Sequence, residues 1–392
     1  MMKLSTRQIT PVSEFDKQIS IARITENAEL PAPVRSKHIL LVKTGNGNHL
    51  AEGFKAYFFI GSNELIVNKS KYPKNVFVLS DDQAYLGEGD VVRFAPDKPA
   101  LTTLYRKQSQ HNSLLVTERC NNFCLMCSQP PKEIDDSYIV NDLMEAIPLM
   151  DRGTAEIGIT GGEPTLLGDN LILLLRNLKN YLPSTVVHVL SNGRRFSNMS
   201  FTEKIAKLEH QDLMIGIPIY SDISNIHDYV VQADGAFDET IQGIINLKRF
   251  QQKVEIRVVL HKQTYDRLPQ LAEFLARNLL FVDHVALMGL EMMGFTRHNL
   301  DDLWIDPVEY QPQLLKAVEI LSRYRMNVSV YNHQLCLLDK RLWLYNRKSI
   351  SDWKNEYMTE CTPCTKKTEC GGFFSSAHLK YSSHIVPFLE EN

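Results

Sequence analysis

The segment Ser113-Leu-Leu-Val-Thr117-Glu-Arg-Cys120-Asn-Asn-Phe-Cys124-Leu-Met-Cys127 passes from a leucine- and valine-rich pentapeptide into three thiols within eight residues. The pentapeptide reads as a strand. Thiols so closely spaced converge on one centre only if they lie on a tight loop. Iron–sulfur clusters are normally held by four thiolates. Three leave one iron without a protein ligand, just as catalytic metal sites keep an open position. A zinc site, or unrelated thiols sharing a loop, is the competing reading of the same residues.

Downstream, strands and helices alternate. Candidate strands are Ser113–Thr117, Glu156–Thr160, Val186–Leu190, Leu213–Ile219, Val254–Val259 and His284–Leu290. Helical patterns between them cover Asn141–Met150, Leu171–Tyr181, Phe201–Leu208, Phe237–Phe250 and Leu268–Asn278. This order predicts an α/β fold with a parallel sheet and right-handed crossovers. An open sheet and a partial barrel fit the pattern equally well, and either puts function at the carboxyl ends of the strands. A further helix is expected from Pro307 to about Arg325, with Asp306 as N-cap and Pro307 at its first position.

Upstream, short β-rich runs at His38–Lys43, Ala56–Ile60, Asn75–Leu79 and Asp90–Phe94 are punctuated by Gly, Asn, Asp and Pro, with Thr44–Asn48 as a turn. They predict a small β-rich domain in which no chemistry is legible. The expected boundaries are 1–105 for that domain, 106–300 for the α/β core, 301–378 for a helix and Cys-rich segment, and 379–392 for a tail.

Seven cysteines are present, none before Cys120; the other four are Cys336, Cys361, Cys364 and Cys370. The odd total argues against a closed disulfide framework, and clustered thiols in a reducing compartment are more often metal ligands. Four thiolates complete a site with no open position, and a metal would order a segment short of periodic pattern. A second iron–sulfur cluster and a zinc ion compete there. His333 and His378 read as ordinary histidines. Hydrophobic residues at 44% and charged residues at 23% describe a folded chain, and a net charge of -3 gives no reason to expect nucleic acid or an anionic membrane as partner. Neither a secretory core segment nor a membrane-length apolar run is found, so a cytoplasmic location is expected.

The Cys-x-x-x-Cys-x-x-Cys spacing after the first core strand resembles the radical S-adenosylmethionine (SAM) superfamily. Thr160-Gly161-Gly162-Glu163-Pro164 follows the second strand, where that superfamily carries a Gly-Gly-Glu motif. The resemblance implies a partial (β/α)6 TIM-like barrel whose three cysteines hold a [4Fe-4S] cluster. Its open iron binds SAM, and reduction yields a 5′-deoxyadenosyl radical. It implies SAM contacts at Gly161, Gly162, Glu163 and Pro164. Softer matches are Ser191 and Asn192 in a Ser-Asn-Gly turn, Ser221 towards the ribose and Arg257 towards the carboxylate. Each of these is also an ordinary turn, hydroxyl or salt-bridged arginine. Asn225–Phe237 resembles the segment after the fourth strand in peptide-modifying members. The residue before the third cysteine, commonly aromatic and near adenine, is Met126 here.

The Cys361-x-x-Cys364-x5-Cys370 run resembles the auxiliary-cluster domains of radical SAM peptide maturases, shortened to ligands for one cluster. Arg106–Pro131, Ser349–Asn355 and Cys370-Gly-Gly-Phe-Phe374 resemble the radical SAM maturase of the His-Xaa-Ser system, its C component. That resemblance implies as partners a ribosomally made peptide with His-Xaa-Ser repeats, a companion radical SAM maturase and an electron donor such as flavodoxin or ferredoxin. The modification made is not implied, and no general base is legible. A radical SAM enzyme acting on a small molecule, or a non-enzymatic zinc-stabilised scaffold, is the alternative.

Overall fold

Ala56-Tyr-Phe-Phe-Ile60 is apolar at every position, so it suits a strand covered on both faces. In the computed structural model, which describes residues 4–43, 50–61, 72–97, 100–348 and 356–389, it is such a strand. Phe58 packs with Ile24, Ile39, Phe77 and Phe94 on one face, while Tyr57 and Phe59 pack with Leu40 and Val76 on the other. The expected turn at Thr44–Asn48 and the matched string Ser349–Asn355 lie outside the described residues.

The chain packs as two units, residues 1–114, 137–157 and 174–185 in one and the remainder in the other. The first holds a mixed eight-stranded sheet: β1 (Ser5–Thr6), β2 (Ile9–Pro11), β3 (Ser20–Thr25), β4 (His38–Val42), β5 (Ala56–Ile60), β6 (Val76–Leu79), β7 (Val91–Ala95) and β8 (Ala100–Tyr105). Its order is β1-β8-β7-β3-β4-β5-β6-β2. The helix Ser137–Ala146 also belongs to this unit, its Asp142 paired with Arg93 of β7.

The second sheet runs in strict chain order: β9 (Asn112–Leu115), β10 (Glu156–Thr160), β11 (Val186–Leu190), β12 (Leu213–Pro218), β13 (Lys253–Leu260), β14 (His284–Gly289), β15 (Val328–Tyr331) and β16 (Asn346–Arg347). From β11 to β16 every neighbour pairs parallel. No reversal of order occurs, so right-handed crossovers keep the helices to one side and the sheet curls as a barrel wall. The open-sheet alternative therefore falls away, and the α/β partial barrel stands. It carries two strands more than the expected six; β15 and β16 span four and two residues, too short for alternation to show.

The helix expected from Pro307 begins one turn later, at Gln311, and ends at Arg323. Asp306 accepts a hydrogen bond from the amide of Val308 (3.1 Å), so it caps a turn rather than the helix. No helix among the described residues is long and apolar enough to cross a membrane.

Candidate metal centre

Beyond β9 the chain needs partners for a run of loop amides and carbonyls. Val116 donates to Thr160 O (2.9 Å), Gly162 to Thr117 O (2.8 Å) and Glu163 to Arg119 O (2.8 Å), so the Gly-Gly-Glu loop lies directly along the chain leading into Cys120. A Cβ on Gly161 would stand 2.3 Å from Thr117 O, and one on Gly162 would stand 2.1 Å from Arg119 O. The glycines are required here by contact between two backbones.

Glu163 is buried, and four donors converge on its carboxylate. Oε1 accepts from Thr165 N (2.9 Å), Thr165 Oγ1 (2.6 Å) and Ser191 Oγ (2.8 Å), while Oε2 accepts from Asn192 N (2.6 Å). Burial raises its pKa, opposed by these hydrogen bonds. Glu163 thereby ties the loop after β10 to the loop after β11. Pro164, also buried, opens the 3-10 turn that Glu163 caps.

Three further segments hold the cysteine loop. Asn192 Nδ2 donates to Asn121 Oδ1 (2.7 Å), and Arg194 Nη1 donates to Asn121 O (2.9 Å) and Asn122 Oδ1 (2.7 Å). The last carbonyls of the helix Ser224–Val231, which lack partners inside the helix, accept from Phe123 N and Leu125 N, each at 3.0 Å. On the other side Phe295 N donates to Cys127 O (2.8 Å), Thr296 Oγ1 to Met126 O (3.2 Å) and Asn299 Nδ2 to Leu125 O (2.9 Å). Asn225–Phe237 thus includes a helix that periodicity did not reveal. Arg194, Thr296 and Asn299 went unread, because one Arg, Thr or Asn carries no local signal of a contact far along the chain.

Within this clamp the thiols lie close enough to feel one another. Burial, and then the neighbouring charges, push Cys120 up to about 11 and Cys124 up to about 12. Neutral thiols in such a pocket become ligands when a cationic centre offsets the cost of burying thiolates. Among the described residues no three His, Cys, Asp or Glu side chains converge on a point fit for a single ion. Met126 is buried against Tyr220, Val230, Val231 and Leu303. Tyr220, at the end of β12, lies near enough to Cys124 and Cys127 for their charges to raise its phenol further after burial. It is a neighbour of the site that the sequence did not single out.

Two candidate residues already have partners. Ser221 Oγ accepts from Ile223 N (3.1 Å). Arg257 Nη1 donates to Glu255 Oε1 (2.9 Å), and Nη2 lies 3.3 Å from Met288 Sδ. Glu255 also meets His284 Nδ1 (2.7 Å). Burial works to raise its carboxyl, but the His284 hydrogen bond and the charges of Arg257 and His188 hold it down at about 2.

The other four thiols line one small cavity. Cys336 and Cys361 are each raised by burial and then by the neighbouring cysteines. Cys364 N donates to Cys361 O (3.1 Å), and Leu335 N approaches Cys370 Sγ (3.5 Å). A Cβ on Gly371 would meet His333 O at 2.5 Å, which accounts for the glycine after Cys370. Both ring nitrogens of buried His333 are engaged, by Tyr331 O (2.7 Å) and the Tyr310 hydroxyl (2.9 Å). His378 is exposed.

Arg194→Ala removes two donors from the cysteine loop while touching no thiol. We expect the reconstituted centre to bleach several-fold faster in air, followed by visible absorbance, with Arg194→Lys intermediate. Equal bleaching would mean that the clamp does not support the loop.

Residues 114–275 match the family model described as the radical SAM superfamily. A GTP 3′,8-cyclase of Campylobacter jejuni is 26% identical over 243 residues, 56% of this chain and 72% of that protein. A probable GTP 3′,8-cyclase of Sulfurisphaera tokodaii is 23% identical over 216 residues, 53% of this chain and 66% of that protein. Among solved structures, Streptococcus suis SuiB bound to S-adenosylmethionine aligns with TM-score 0.48 and 16% identity, over 58% of this chain and 51% of that one. A radical SAM methyltransferase from Sphaerobacter thermophilus aligns with TM-score 0.44 and 16% identity, over 62% of this chain and 72% of that one. The chain thus spans about half the length of SuiB and about two thirds or more of the cyclases.

Proposed function

We propose, from the premise that residues 114–275 form a radical SAM domain, that the chain reductively cleaves S-adenosylmethionine in order to modify a ribosomally made peptide. Domains of this family work with a [4Fe-4S] cluster and S-adenosylmethionine, which together supply a 5′-deoxyadenosyl radical that abstracts hydrogen from a substrate. The observation that carries the reading is the clamped loop: Cys120, Cys124 and Cys127 stand at the carboxyl end of β9, hydrogen-bonded on all sides by loops from the same end of the barrel.

The chain's own work is positional. Gly161 and Gly162 allow the two loops to touch, Glu163 fixes their spacing, and Arg194 and Asn299 hold the cysteine backbone. Ser191, Asn192, Ser221 and Arg257 remain candidates for the SAM side of the pocket. The peptide substrate rests on the resemblance of Arg106–Pro131 and Cys370–Phe374 to the His-Xaa-Ser maturase. From it we also take the companion maturase and the flavodoxin- or ferredoxin-type electron donor. The names of the curated relatives support a second reading, in which the substrate is a nucleotide such as GTP.

The test is co-expression with a His-Xaa-Ser repeat peptide and mass spectrometry of that peptide. A mass change that depends on Cys120 supports the proposal. An unmodified peptide, beside conversion of GTP by the purified enzyme, moves the function to the second reading.

We assign Cys336, Cys361, Cys364 and Cys370 to an auxiliary cluster. A Cys361→Ala/Cys364→Ala variant is expected to lose about four iron atoms per chain relative to wild type. Loss of about one zinc instead, with iron unchanged, would identify a closed zinc site.

A further inference from the structure

The carboxyl ends of β13, β14 and β15 and the segment Gly371–Ser382 line a cavity. Leu260, Leu290 and Met292 come from the strand ends, and Phe373 and Ala377 pack against Met292 from the Cys-rich segment. Leu290 also packs in the apolar cluster around Met126, while Met358 and Cys361 pack beside Met292 and Phe373. The space therefore lies between the walls of the two cysteine sites.

Its polar groups divide sharply. Gln334 Nε2 is committed to Gly372 O (2.6 Å), the Tyr310 hydroxyl to His333 (2.9 Å) and the Tyr381 hydroxyl to Glu360 (3.3 Å). Donors are left over as well. The hydroxyl of Ser376, in a residue 2% exposed, has no partner among the described residues. The amides of buried Gly371 and Gly372 have no acceptor among them. The Lys380 ammonium sits 4.3 Å from the centre of the Trp304 ring, without a carboxylate partner among them. No Asp or Glu among the described residues lines the cavity. Three of these four groups can only donate, and one is a cation held in place on an aromatic face.

We propose that this cavity is the substrate chamber and that it binds an anionic, acceptor-rich group, a carboxylate or a phosphate, carried on an apolar body. Lys380 reads the charge, while Ser376 and the Gly371–Gly372 amides supply hydrogen bonds. Buried donors left unpaired are costly, so a ligand that accepts from them gains more than its contact area alone would give. The inference rests on the radical SAM reading for its claim that the ligand is the substrate.

Calorimetric titration of the reconstituted protein tests it with three probes: GTP, a His-Gly-Ser-His-Gly-Ser peptide with a free carboxyl end, and the same peptide amidated. A peptide source predicts that the free acid binds and its amide binds about tenfold more weakly or not at all; a phosphate source predicts that GTP binds. Whichever binds should weaken about tenfold in Lys380→Ala, weaken in Ser376→Ala, and recover most of its affinity in Lys380→Arg. Lys207→Ala, at an exposed lysine paired with Glu203, is the control for simple loss of charge. Failure of all three probes to bind wild type, or equal affinity in Lys380→Ala, overturns the proposal. Release of 5′-deoxyadenosine by wild type without any probe tests the radical SAM reading separately.

Discussion

A Cys120→Ala/Cys124→Ala/Cys127→Ala variant, reconstituted without oxygen, should carry about four fewer iron atoms per chain than wild type and release no 5′-deoxyadenosine from SAM. The expected loss of activity is complete, because these three thiols are the proposed ligands of the cluster. His227 lies close to Tyr220, and its Nδ1 already accepts from Tyr220 N (3.3 Å). The fold should survive. Every hydrogen bond fixing the loop to its four supports uses backbone atoms of the loop or the side chains of Asn121 and Asn122. The variant also removes three half-buried thiols whose ionisation is disfavoured by desolvation. Circular dichroism like that of the apo wild type, with iron reduced to the auxiliary site, is the expected result. A soluble, folded variant that keeps its full iron content would end the assignment.

What the sequence disclosed follows from how local the cause was. Glu156–Thr160 and Val186–Leu190 form strands at the expected bounds, and Leu268–Asn278 is a helix at its expected bounds; in each the packing face repeats every second, third or fourth residue. Ser20–Thr25 was missed because Arg23 interrupts its apolar run, although its two neighbouring strands supply the hydrogen bonds that make it a strand. Helix Ser224–Val231 was missed because its eight residues lack a side-chain cap at the start. Its last carbonyls find their partners in the cysteine loop, about a hundred residues earlier in the chain. The cysteines and the Gly-Gly-Glu string were legible because metal chemistry and close backbone contact admit few residue types. Glu163 was legible as part of a string, but its four hydrogen bonds depend on where β10 and β11 place their loops. Lys380 had no signal at all until the fold set it on Trp304.

The same reasoning makes Gly162→Ala a damaging substitution that leaves every thiol in place. A methyl group at this position would stand 2.1 Å from Arg119 O, 2.5 Å from Arg119 C and 3.1 Å from Cys120 N, all of them backbone atoms. No rotamer change relieves such a contact, so the two loops must separate. Separation breaks the hydrogen bonds from Gly162 N to Thr117 O and from Glu163 N to Arg119 O, both 2.8 Å, and shifts Cys120 itself. Overpacking against backbone costs about 1–3 kcal/mol, and lost buried hydrogen bonds add to it. We expect a fall in thermal midpoint of several degrees and, more tellingly, several-fold lower iron content at the three-cysteine site. Gly235→Ala separates clash from backbone strain: Gly235 has φ +71°, but an added Cβ would find nothing within 4 Å. That variant should lose about 1 kcal/mol through its left-handed backbone and keep its iron. If Gly162→Ala instead held iron as well as Gly235→Ala does, the loop after β10 would not be what places Cys120, and the clamp described here would have lost its central contact.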